Sequence, residues 1–178
     1  WALTGALLCT SVLTTPARDM PNGLPDDSTF FPIAVWLQGP HNADNYAAVG
    51  ITLFVGLWQG PTQSQLDELQ RVGMPVVCAQ NSYALENLET YGDIIKGWTH
   101  QDEPDNAQWN EGTGSYDPCV DTAIVQQEYE SWVAADSTRP VYLNLGRGVS
   151  HTTWIGRGEC TGNTALYPGY IRGCDIVS

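Results

Sequence analysis

"TQSQLDELQRVGMPVVCAQN", residues 62–81, decides how this chain folds. Leu66, Leu69 and Val72 recur at helical spacing, with Asp67, Glu68, Gln70 and Arg71 between them. That is the pattern of a helix with one buried stripe. Gly73 stands where such a helix needs a left-handed C-terminal cap. "MPVVCAQN" (74–81) is then continuously apolar until Gln80 and Asn81. An unbroken apolar run fits a parallel strand covered on its outer face, with polar groups at its end.

The same unit recurs along the chain. "PIAVWLQ" (32–38) is the first apolar run, and "NADNYAAVG" leads into "ITLFVGLWQG" (51–60). "SYALENLETYG" leads into "DIIKGWTHQDEP" (93–104), and "TAIVQQEYESWVAADSTR" into "PVYLNLG" (140–146). "YPGYIRG" leads into "CDIVS" (174–178), the sixth run. Gly50, Gly92 and Gly173 repeat the capping position of Gly73. Strand and helix in alternation predict an α/β fold with right-handed crossovers.

Of the two α/β layouts, a doubly wound sheet with a phosphate site needs GxGxxG or GxxxxGK[ST] after a strand, and neither occurs. The (β/α)8 TIM-barrel type accounts for the decorated strand ends: Trp36 and Gln38, Trp58 and Gln59, Gln80 and Asn81, Trp98 to Glu103, and Asn144. In a barrel those ends converge on one ligand face. About six βα units are present, so the expected domain, residues 20–178, is an incomplete barrel.

With 178 residues, 42% of them hydrophobic, the chain can bury one core. Seven Lys and Arg against 20 Asp and Glu give a net charge of −13. Such a field repels nucleic acid and anionic membranes. Residues 2–14 form an apolar run, followed by "TPA" and a charged stretch. Residues 1–19 therefore read as a signal-peptide-like segment cut near Ala17, which implies a secreted or periplasmic protein. An N-terminal strand or helix packed on the domain is the alternative. The run is too short to span a membrane.

The five cysteines lack a CxxC pair, so zinc-ribbon and thioredoxin-like readings fail. His41, His100 and His151 come from different loops without HExxH or HxH spacing, so neither a metal nor a cofactor is expected. No GxSxG occurs for a serine hydrolase, and "GRGVSH" (146–151) is only a faint echo. Cys119 and Cys160 fall in successive loops on one barrel face, where a disulfide would pin the rim. Cys78 and Cys174 are expected to be reduced and buried.

"GWTHQDEPDN" (97–106) carries the chemistry. Glu103 emerges at the mouth of the fourth strand, flanked by tryptophans and followed by Pro104, a position suited to general acid work. The alternative is a cap on the next loop or a pair with Arg147. Trp36, Trp58 and Trp98 can present indole faces to a sugar ring. Gln38, Gln59, Gln80, Asn81, His100, Asp102 and Asn144 can bond its hydroxyls. A carbohydrate is the expected partner.

A fourth-strand Glu followed by Pro resembles the acid/base element of the retaining (β/α)8 glycoside hydrolase clan, usually Asn-Glu-Pro. "GLWQGPTQSQLDELQRVGMPVVCAQN", "GWTHQDEPDNAQ" and "RPVYLNLGRG" are also similar to secreted bacterial glycosidase-like barrel proteins. The resemblance spans roughly residues 30–178 and implies that Glu103 is the general acid/base. Asp102 stands where the clan has the Asn that contacts the sugar 2-hydroxyl. The clan's nucleophile lies at the end of strand seven, beyond Ser178, so the resemblance assigns that role to no residue here. A barrel ending after six strands is expected to self-associate through its open edge, or to belong to a longer protein. A carbohydrate-binding or structural barrel relative without catalysis is the rival reading.

Overall fold

A computed structural model describes residues 18–150, 160 and 162–178. The signal-like run with its cleavage position, Cys9 and His151 lie outside the described residues. Six strands form one parallel sheet: β1 (Ala34–Trp36), β2 (Leu53–Val55), β3 (Val76–Cys78), β4 (Ile95–Thr99), β7 (Val141–Leu143) and β8 (Ile176–Val177). They pair in the order β1-β2-β3-β4-β7-β8. The six apolar runs of the sequence thus become the six sheet strands, each shorter than its run.

Helices join them: α1 (Ala43–Ala48), α2 (Gln63–Val72), α3 (Ser82–Glu86) with α4 (Leu88–Tyr91), α5 (Thr122–Ala135) and α6 (Tyr167–Ile171). Leu66 and Leu69 of α2 are fully buried against Phe54, Val76 and Ile95 on the outer sheet face. At the start of α2, the Thr62 amide donates to Gln65 Oε1 at 3.0 Å, satisfying an otherwise orphaned donor. Gly73 ends α2 at φ 71°, the left-handed cap its position predicts.

Gly50 is also left-handed at φ 88°, but Gly92 is not, with φ −60°, and neither is Gly173. These two are required for space instead. A side chain on Gly92 would meet the Arg139 guanidinium at 3.0 Å, and one on Gly173 would meet Val125 Cγ1 at 2.8 Å.

The sheet is strongly curled. Trp36 on β1 and Tyr142 on β7 stand four strand spacings apart, about 19 Å in a flat sheet. Their ring centroids are 6.3 Å apart. Leu53, Val55 and Val77 line the concave face between them. The result is a parallel half-barrel in which, among the described residues, the edges of β1 and β8 are unpaired within the sheet.

One feature departs from the expected loop after β4. Residues 107–119 form an antiparallel hairpin of β5 (Ala107–Asn110) and β6 (Ser115–Cys119). Trp109 and Tyr116 pack edge to face across it at 5.2 Å. The hairpin buries little, so no continuous apolar run signalled it. Cys119 on β6 is bonded to Cys160, with Cα atoms 6.1 Å apart, as the sequence reading predicts. Cys78 is free and buried, but Cys174 is free and only half-buried, because it lies outside the sheet just before β8.

Candidate functional site

The loops after β1, β2, β4 and β7 meet at the C-terminal end of the half-barrel. A cleft of about 450 Å³ opens there, lined by Trp36, Val55, Asp102, Glu103, Tyr142 and Asn144 among others. This size falls within the range of small-ligand sites. Among the expected site residues, the cleft gathers Trp36, Asp102, Glu103 and Asn144.

Glu103 is half-buried in a tight turn that it enters at φ 46°. Its amide donates to the Asn144 carbonyl at 3.1 Å, joining the β4 loop to the β7 loop. Asn106 Nδ2 donates to Glu103 Oε2 at 2.8 Å. Leu37 (φ 50°) and Gln59 (φ 53°) are the other non-glycine residues with positive φ among those described. All three strained positions follow sheet strands at the same rim, the kind of clustering seen where backbone strain serves a site.

A directional chain of hydrogen bonds crosses the β7 side of the cleft. Tyr142 Oη and Ser178 Oγ are 2.6 Å apart, Ser178 Oγ donates to Asn144 Oδ1 at 2.8 Å, and Asn144 Nδ2 donates to Asp102 Oδ1 at 2.7 Å. With its oxygen receiving from Ser178 and its nitrogen given to Asp102, the Asn144 amide has a defined orientation. Tyr142 and Ser178 were not foreseen. Period-two alternation in "PVYLNLG" places Tyr142 on the same face as Asn144, so that signal was present.

Asp105 and Asn106, directly after Pro104, are buried beneath Glu103. Asp105 Oδ1 accepts from the Gly146 amide at 2.6 Å, and among the described residues no hydrogen bond within ordinary geometry reaches Asn106 Oδ1. Burial raises the Asp105 carboxyl above the ordinary range; the Gly146 amide opposes this, and the Glu103 charge adds to it.

Other expected ligand residues serve the scaffold. Trp98 is fully buried on the outer face, where its Nε1 donates to Asp136 Oδ2 at 3.0 Å. A register shift is responsible: Val76 pairs with Ile95 but Val77 with Gly97, and the extra residue turns Trp98 away from the cleft. His100 is buried, stacked on Trp132 at 4.6 Å, with Nε2 2.8 Å from the Gly173 carbonyl. Gln80 donates to the Trp132 carbonyl at 3.1 Å, and Asn81 caps α3 by accepting from the Ala84 amide at 2.8 Å. Gln38 is exposed, accepting from Tyr46 at 2.8 Å and donating to the Trp36 carbonyl at 3.1 Å. Trp58 and Gln59 stay exposed at the rim.

Among the described residues, no group of three or more His, Cys, Asp or Glu side chains could hold a metal ion. No helix among them is long and apolar enough to cross a membrane. Comparison with known proteins finds no matching family model and no matching curated protein.

Proposed function

We propose that this chain is a glycoside-hydrolase-like (β/α)8 domain, exported to an oxidising compartment, that acts on a β-linked glycan. The observation that carries this is the meeting of Glu103, Asp102 and Asn144 with Trp36 and Tyr142 around one cleft at the C-terminal end of a curled parallel sheet. The Cys119–Cys160 disulfide favours an extracellular or periplasmic setting.

In this reading a sugar ring lies against Trp36, and Asn144 and Asp102 bond its hydroxyls. Glu103 protonates the leaving oxygen and afterwards activates water. Double displacement also needs a nucleophilic carboxylate about 5 Å from the acid/base. The clan resemblance places that carboxylate at the end of a seventh strand, and the role it implies for Glu103 is the acid/base.

The binding-only reading also has an observation in its favour. The two carboxylates lining the cleft, Asp102 and Glu103, are adjacent in sequence, and Asp102 is already held by Asn144. Neighbours in one loop are poorly placed to flank a glycosidic bond from opposite sides.

Aryl β-glycoside hydrolysis decides between these readings, measured on the 178-residue chain and on a form extended past Ser178, each with and without Glu103→Gln. The enzymatic reading expects turnover only in the extended form, and a loss of roughly 10²- to 10⁴-fold with Glu103→Gln. Activity retained by that variant refutes the role of Glu103. Glycan binding without turnover in either form supports the binding module.

A further inference from the structure

A second groove adjoins the cleft. It has a volume of about 200 Å³ and is lined by Leu37, Leu57, Trp58, Gln101 and others. Trp36 and Asp102 line both this groove and the main cleft.

Trp58 forms its outer wall and is 69% exposed. An indole left this open costs solvation without contributing to the core. Its backbone is nonetheless held in place. Gln65 Nε2 of α2 donates to the Trp58 carbonyl at 2.9 Å, and the Gly60 amide bonds the Leu57 carbonyl at 3.1 Å. Two of the three strained residues, Leu37 and Gln59, border this groove or adjoin Trp58. An exposed aromatic on a fixed, strained support is organised to stack on a flat apolar surface.

The charges narrow the occupant. Among the described residues lining the two grooves, Asp102 and Glu103 are negative and no lysine or arginine is present. The whole chain carries −13. An anionic sugar would be repelled locally and at long range.

We propose that the two grooves form one continuous site for an uncharged β-linked oligosaccharide of at least two sugar residues. One ring occupies the Trp36–Tyr142 cleft and the next stacks on Trp58. Asp102 bonds both rings where they join. This inference rests on the carbohydrate reading above and adds chain length and charge to it.

The test is calorimetric titration of the 178-residue chain with neutral β-linked gluco-, manno-, xylo- and galacto-oligosaccharides, each as monosaccharide and tetrasaccharide, and with a β-linked glucuronan tetramer. The expected result is that one neutral tetrasaccharide binds more tightly than its monosaccharide and than the glucuronan. Trp58→Ala should weaken the tetrasaccharide roughly fivefold to tenfold and leave the monosaccharide unchanged. Trp58 is exposed, so the variant should fold, which circular dichroism checks. Equal affinity for short and long ligands, or indifference to Trp58→Ala, overturns the two-groove site and leaves the Glu103 cleft standing. Glucuronan binding as tight as the neutral chain overturns the charge selection. No binding by any sugar overturns the carbohydrate reading itself.

Discussion

The amide of Gly146 donates to Oδ1 of Asp105 at 2.6 Å, which presses the Gly146 backbone against the candidate acid. A Cβ at Gly146 would come within 2.8 Å of Glu103 Cδ and closer still to Asn106 Nδ2. Gly146→Ala is therefore expected to push Glu103 out of its turn at a cost of about 1–3 kcal/mol. Thermal denaturation should show the loss, and sugar binding should fall with it. Unchanged stability and binding would mean that the two loops are not interlocked.

Asp105 and Asp136 should respond to pH in opposite senses. Asp105 is raised by burial, so it holds its proton more tightly folded than unfolded. Its contribution favours folding at low pH and is lost as pH rises through the folded value. Asp105→Asn keeps the acceptor for Gly146 and removes the buried charge. It should raise the melting temperature at pH 7 and have little effect near pH 3.

Asp136 is lowered: burial acts to raise it, but hydrogen bonds from Thr138 and Arg139, and the Arg139 charge, outweigh burial. Its contribution is present above the ordinary aspartate range and is lost as pH falls through the still lower folded value. Asp136 accepts from Trp98, Arg139 and Thr138 at once. Asp136→Ala strands a buried guanidinium and should cost roughly 3 kcal/mol at neutral pH. Urea denaturation of the variant measures it, and a loss under 1 kcal/mol would contradict the pairing.

The Cys119–Cys160 bond closes a loop of sequence separation 41 and ties the β5–β6 hairpin to the segment before α6. Chain entropy places its stabilisation at roughly 4 kcal/mol. Melting with and without reductant should differ accordingly. Burial pushes the Cys78 thiol up to about 12 and the Cys174 thiol up to about 11. Thiol titration of the native protein should therefore find no reaction at Cys78 and slow reaction at Cys174.

The half-barrel leaves Ile33 before β1 and Ile176 and Val177 in β8 exposed at 47%, 38% and 44%. Unpaired parallel edges of this kind template association. Light scattering of the 178-residue chain should show mass rising with concentration, and Ile176→Lys should reduce the rise. A concentration-independent monomer mass would rule out the edge contact.

Local spacing alone determined the alternation of helices and apolar strands and the parallel sheet they form. The spacing of Leu66, Leu69 and Val72, the unbroken runs and the polar strand ends report burial within a few residues, so one sequence suffices to read them. The interlocking of the β4 and β7 loops was also within reach, because barrel topology makes successive loops neighbours, and the Cys119–Cys160 pair followed. Tertiary structure decided which polar and aromatic groups remain available to a ligand. A one-residue register shift turns Trp98 into the core, and Gln80, Asn81 and His100 are used by Trp132, Ala84 and Gly173. Each of those uses depends on a hydrogen-bond partner or a packing surface brought in by folding, which spacing along the chain does not encode. The approach of Trp36 to Tyr142 likewise depends on the curl of the whole sheet. The burial of Asp105 depends on a glycine loop 41 residues downstream.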